Sequence, residues 1–99
     1  MAFVMRITGQ GFTTEKYDEV VRRLEAAGEG SPAGRIFHVC FGDPENLRVS
    51  DIWDTHENFN RFFGVVGGIM QEMGIEASEP EFFDVHNTII GKQAGSAAG

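Results

Sequence analysis

Apolar residues alternate with others near the start of the chain, where Phe3, Met5 and Ile7 share one side of residues 2–9, the period of two that a pleated strand imposes. The period then lengthens. Tyr17, Val20, Val21, Leu24 and Ala27 recur at helical spacing behind a Thr13-Thr14 pair suited to an N-cap, and Gly28 closes the run. Alternation returns over residues 35–41, with Phe37, Val39 and Phe41 on one side and Ile36, His38 and Cys40 on the other. The segment Gly42-Asp43-Pro44-Glu45-Asn46 is turn chemistry of hairpin length, so residues 47–53 are expected to pair antiparallel with the strand before them.

Thr55 can cap a second helix, which carries the strongest periodic signal in the chain: Phe59, Phe62, Phe63, Val66, Ile69, Met70 and Met73. Gly64, Gly67 and Gly68 lie inside it. Each costs about 1 kcal/mol against alanine in a helix interior, so a kink or break is expected there. Residues 81–90 alternate once more and predict a fourth strand, with Phe83, Val85 and Ile89 on one side and Phe82, Asp84 and His86 on the other. Residues 91–99 offer nothing to bury and read as a disordered tail behind a single domain over residues 1–90.

The order β-α-β-β-α-β predicts a ferredoxin-like α+β fold, a four-stranded antiparallel sheet with both helices on one face. The most uniformly apolar sets should meet the helices, which turns Phe37, Val39, Phe41, Phe83, Val85 and Ile89 inward. His38, Cys40, Asp84 and His86 then lie on the open face. There Phe3, Met5, Ile7, Ile36, Leu47, Val49 and Trp53 would form an apolar patch larger than a monomer usually tolerates. No third helix is available to cover it. The expected cover is a second copy of the chain, sheet against sheet, in a homodimer.

Eight basic side chains stand against 15 acidic ones, a net charge of −7, which argues against nucleic acid and anionic membrane surfaces as partners. One cysteine cannot form an internal disulfide. Without an apolar run long enough for a secretion signal or a membrane span, a soluble cytoplasmic protein is expected. Gly9-Gln10-Gly11 lacks the third glycine and the lysine of phosphate-binding loops. Cys40 has apolar neighbours and no adjacent cation, the setting of a small hydrophobe rather than a nucleophile.

His38, Asp51, Trp53 and His86 are the residues that could carry chemistry, because all four fall on one inferred face. A carboxylate beside an imidazole in a desolvated cavity can act as an acid/base pair, the carboxylate fixing the ring tautomer. The same pair can equally be a hydrogen-bonded filler of a dimer seam. Trp53 could stack an aromatic ligand or serve as core. His38, His86 and Asp51 are of metal-ligating type but lack local ligand spacing, so neither a metal nor another cofactor is expected.

Four segments carry a resemblance: Tyr17-x-x-Val20-x-x-x-Leu24, Pro32-x-Gly34-x-Ile36-x-His38, Asp51-x-Trp53-x-Thr55-x-Glu57-x-Phe59 and Val85-His86-Asn87. Across residues 3–90 the chain resembles the dimeric α/β-barrel superfamily, especially small proteins similar to antibiotic-biosynthesis monooxygenases. The resemblance implies two ferredoxin-like subunits forming one barrel. It also implies a cavity between sheet and helices for an aromatic or tetrapyrrole substrate, with the tryptophan ending the third strand on its wall. Met5 and Phe63 stand where haem-degrading relatives have asparagine and histidine, which argues against haem degradation. Val49 stands where the polyketide oxygenases place an asparagine ahead of the tryptophan. The candidate catalytic residues are therefore His38 and Asp51, and the candidate ligand-binding residues Met5, Phe63, Trp53 and His86. The expected function is a homodimeric, cofactor-independent monooxygenase or related enzyme acting on a hydrophobic aromatic compound; the alternative is a non-catalytic dimer that binds a small molecule or merely assembles.

Overall fold

Two threonines set where the helices begin. The Thr13 hydroxyl accepts from the Lys16 amide and the Thr55 hydroxyl from the Asn58 amide, each at 3.2 Å, satisfying donors that a helix start otherwise leaves free. The computed structural model describes residues 1–92. It contains β1 (Phe3–Thr8), α1 (Thr14–Ala26), β2 (Arg35–Asp43), β3 (Asn46–Trp53), α2 (His56–Glu72) and β4 (Glu81–Asp84). The strands lie in the order β2-β3-β1-β4, every neighbouring pair antiparallel. This is the ferredoxin-like α+β arrangement that the order of elements predicts.

The faces of the sheet are the reverse of the expectation. Trp53, Phe3 and Met5 are buried beneath the helices, and Leu47 joins them in the core. Phe37 is 51 % exposed, and Val39 and Phe41 also point away from the helices. β1 decides the matter: it pairs with β3 on one side and β4 on the other, so its largest apolar set, Phe3, Met5 and Ile7, fixes which side of the whole sheet is covered. Register does the rest, placing Trp53 opposite Phe3 and Asp51 opposite Met5. In β4 it is Phe82 that meets the core, its ring edge-on to Phe3 and Phe59 at 5.6 and 5.4 Å, while Phe83 lies under the Arg6 guanidinium; both rings remain about half exposed.

The open face is nonetheless apolar. Phe83, Val4, Ile52 and Phe37 follow one another across the four strands as paired residues, with Val39 and Phe41 beside them. A patch is present where one was expected, but it is built from the opposite set of side chains.

β2 contains a bulge. Arg35 pairs with Trp53 and Phe37 with Ile52, which leaves Ile36 as an extra residue, 54 % exposed. Gly34, just before it, has a φ of +90°, and a Cβ there would collide with the Asp54 carboxylate and the Asn58 side chain, so the chain enters β2 where only glycine fits.

Two further expectations are corrected. α2 runs unbroken through Gly64, Gly67 and Gly68, and a Cβ at any of them would meet open space; nothing approaches the backbone there. The fourth strand ends at Asp84 rather than at residue 90. Asp84 lies opposite Phe3, and the Val85 amide donates to the Ala2 carbonyl at 3.1 Å; β1 has no more backbone to offer. Ile89 and Ile90 are accordingly exposed. The expected tail falls, from residue 93 onward, outside the described residues.

Candidate functional site

A cavity of about 240 Å³ lies between the sheet and the two helices. Its walls are mainly aliphatic and aromatic, with Met5, Ile7 and Val49 from the sheet, Val20 and Leu24 from α1, and Phe62, Phe63 and Met70 from α2. Four polar side chains reach it: Tyr17, Arg35, His38 and Asp51.

Three of these form a chain of hydrogen bonds, and secondary structure explains why they meet. His38 and Asp51 are directly opposed on β2 and β3, and the His38 Nδ1 lies 2.6 Å from Asp51 Oδ1. Tyr17 stands in the first turns of α1 with its ring parallel to the imidazole, and its hydroxyl is 2.6 Å from His38 Nε2. Trp53, two residues along β3 and therefore on the same face, donates its indole N–H to Asp51 Oδ2 at 3.2 Å. An ionised carboxylate only accepts. In the neutral imidazole, Nδ1–H thus donates to Asp51, and Nε2 accepts the Tyr17 proton.

Hydrogen bonds to both oxygens accommodate the buried Asp51 side chain. Asp51 is 2 % exposed, and both its oxygens are engaged, which offsets the several kcal/mol that an unpaired buried charge costs. Burial also raises the Tyr17 phenol above its ordinary value, with the nearby Cys40 and Asp51 adding to the effect and Arg35 opposing it. The phenol therefore remains a donor at neutral pH. The Cys40 thiol is pushed up by burial too, which leaves it protonated. Among the described residues no buried side-chain polar atom lacks a partner, and no group of three or more histidines, cysteines or carboxylates could hold a metal ion.

His38, Asp51, Met5 and Phe63 all line this one cavity. His38, Asp51 and Trp53 do share a face, but it is the face under the helices. Trp53 is fully buried against Phe59 and Phe62, with ring centroids 5.8 and 5.4 Å away, and grips Asp51 from behind the cavity wall. His86 is exposed beyond the end of β4 and takes no part in the lining. Two polar lining residues, Tyr17 and Arg35, lie outside the candidate set. Tyr17 is the one member of the α1 apolar stripe with a hydroxyl, a signal that was present. Arg35 reaches the cavity because of the Ile36 bulge, which alternation conceals.

Chemically, a phenol, an imidazole and a carboxylate in series can move a proton from an apolar cavity towards a buried anion. The fold agrees with that of several solved proteins. SnoaB, a cofactor-independent oxygenase from Streptomyces nogalater, superposes with a TM-score of 0.56 at 20% identity over 89% of this chain and 94% of that one. A candidate antibiotic biosynthesis monooxygenase from Chloroflexus aurantiacus gives 0.60 at 16% identity over 92% of this chain and 100% of that one, and another from Deinococcus radiodurans 0.58 at 8% identity over 94% and 100%. No protein-family model matches the chain, and no curated protein does. Among the described residues no helix is long and apolar enough to cross a membrane.

Proposed function

This chain has the fold of antibiotic-biosynthesis-monooxygenase-like proteins, and from that premise we propose a monooxygenase-like activity on a small hydrophobic aromatic compound held between sheet and helices. The observation that carries the reading is the Tyr17–His38–Asp51 chain ending in an apolar cavity. The ligand gives a proton from an activated C–H or O–H to the Tyr17 oxygen as Tyr17 passes its own to His38 Nε2. Asp51 stays ionised and stabilises the imidazolium. The resulting ligand carbanion adds to dioxygen; with one proton the adduct becomes a hydroperoxide, and loss of water leaves a carbonyl. The ligand is oxidised, one oxygen atom of O₂ remains on it and the other leaves as water.

We extend the proposal to assembly. Phe83, Val4, Ile52, Phe37, Val39 and Phe41 form an apolar face that a second copy of the chain would cover, making the homodimer expected from sequence.

The test uses anthrone, whose acidic C–H and quinone product make the reaction visible, with oxygen uptake followed alongside. His38→Ala and Asp51→Asn should each lower turnover by about 10²-fold or more while circular dichroism and sedimentation stay as in the parent. Turnover that survives both substitutions, with only the melting temperature lowered, sinks the catalytic role. That outcome favours the second reading, a binding protein without catalysis, which one observation supports: among the described residues every buried side-chain polar atom already has an internal partner.

A further inference from the structure

Arg35 is the one polar lining group that the Tyr17–His38–Asp51 chain does not use. By strict alternation from Phe37 and His38 it would point to the open face of the sheet. The extra residue Ile36 reverses that, bringing Arg35 into register with Trp53 and onto the helix-covered side, where it lines the cavity. Bulges that re-aim one side chain are typical beside functional sites.

What Arg35 meets there is informative. Its guanidinium lies 5.4 Å from the centre of the Phe62 ring and donates to the Gly30 carbonyl at 3.3 Å. Arg6, Arg22, Arg23 and Arg61 each pair with a carboxylate; Arg35 and Arg48 have no such partner among the described residues, in a chain with nearly twice as many acidic as basic groups, and of these two it is Arg35 that lines the cavity. Its charge is also felt at the Tyr17 phenol, which lines the same cavity. Arg35 and His38 additionally line a neighbouring depression with Ser31, Pro32, Ile36 and Phe37, and thus stand between the apolar cavity and its polar surroundings.

We infer that Arg35 is the specificity-determining residue of the cavity, and that the ligand is a hydrophobic acid whose ring system fills the apolar part while its anionic oxygen, a carboxylate or an ionised enol, pairs with the guanidinium. A planar fork of donors over an aromatic ring suits such an oxygen acid. The cavity is smaller than the roughly 300–1,000 Å³ common for drug-sized ligands, which favours a compact fused-ring ligand. This inference rests on the cavity being a ligand site, as proposed above, and adds the charge of the ligand.

The test measures binding rather than turnover, by calorimetry at neutral pH with 2-naphthoate and its uncharged isostere 2-naphthamide. The parent protein should bind the naphthoate at least tenfold more tightly. Arg35→Met should remove that preference and leave the naphthamide affinity within a factor of two, while Arg35→Lys should keep part of it. Equal affinities in the parent, or an undiminished preference in Arg35→Met with intact circular dichroism, overturn the role of Arg35 and leave the cavity standing. If neither probe binds the parent, the cavity reading falls with it. Weakening of naphthoate binding on raising ionic strength in the parent, but not in Arg35→Met, separates charge pairing from shape.

Discussion

The two faces of the sheet use similar residues to opposite ends. Beneath the helices, Trp53 and Phe3 are closed off and the polar groups among them are paired atom for atom. On the other side, Phe37, Val39 and Phe83 are as apolar yet remain open. Hydrophobicity alone therefore does not tell the core from the surface here. What separates them is whether each polar neighbour has a partner: His38 and Asp51 can lie inside because Tyr17 and Trp53 satisfy them.

The covered face should be the more sensitive to substitution. Trp53→Ala removes a fully buried ring and strands Asp51 Oδ2, so a loss of about 3–5 kcal/mol in denaturant-induced unfolding is expected; a loss under about 1 kcal/mol would erase the distinction between the faces. Tyr17→Phe deletes one hydrogen bond to His38 and should cost about 1 kcal/mol, with the proposed turnover falling far more.

The same substitution carries a pH signature. Burial holds the Tyr17 phenol above its ordinary value of about 10, so the folded state binds that proton more tightly than the unfolded chain. Stability is then complete below pH of about 10 and lost as pH rises through the folded value. Thermal melts from neutral to strongly alkaline pH should show this decline, made shallower by Tyr17→Phe. Cys40, also raised, contributes a decline beginning near its ordinary value of about 8.5.

The smallest effect on subunit stability is expected on the open face. Phe37→Glu should change unfolding of the single subunit by no more than about 0.5 kcal/mol, yet sedimentation should show the proposed dimer dissociating. A parent protein that sediments as one copy at high concentration removes the assembly proposal outright.

Most of the architecture could be read from periodicity, because the shift between periods of two and 3.6 marks every element and both threonine caps. The orientation of the sheet could not. His38 and Asp51 look like surface residues until their cross-strand pairing is known, and pairing depends on register rather than on local pattern. Alternation carries His86 into a strand that stops short of it, since the length of β4 is set by where β1 begins, a property of the partner strand. Arg35 is hidden from the sequence for a third reason: one inserted residue changes the parity of everything upstream.

That parity has a practical consequence for reading other chains of this shape. Counting positions backward from His38 without allowing for Ile36 assigns Arg35 to the wrong side of the molecule, and any chain lacking the additional residue would show the cavity a different neighbour. Corresponding positions at this end of the strand are better matched through the contact between Arg35 and Trp53 than through the linear spacing of residues.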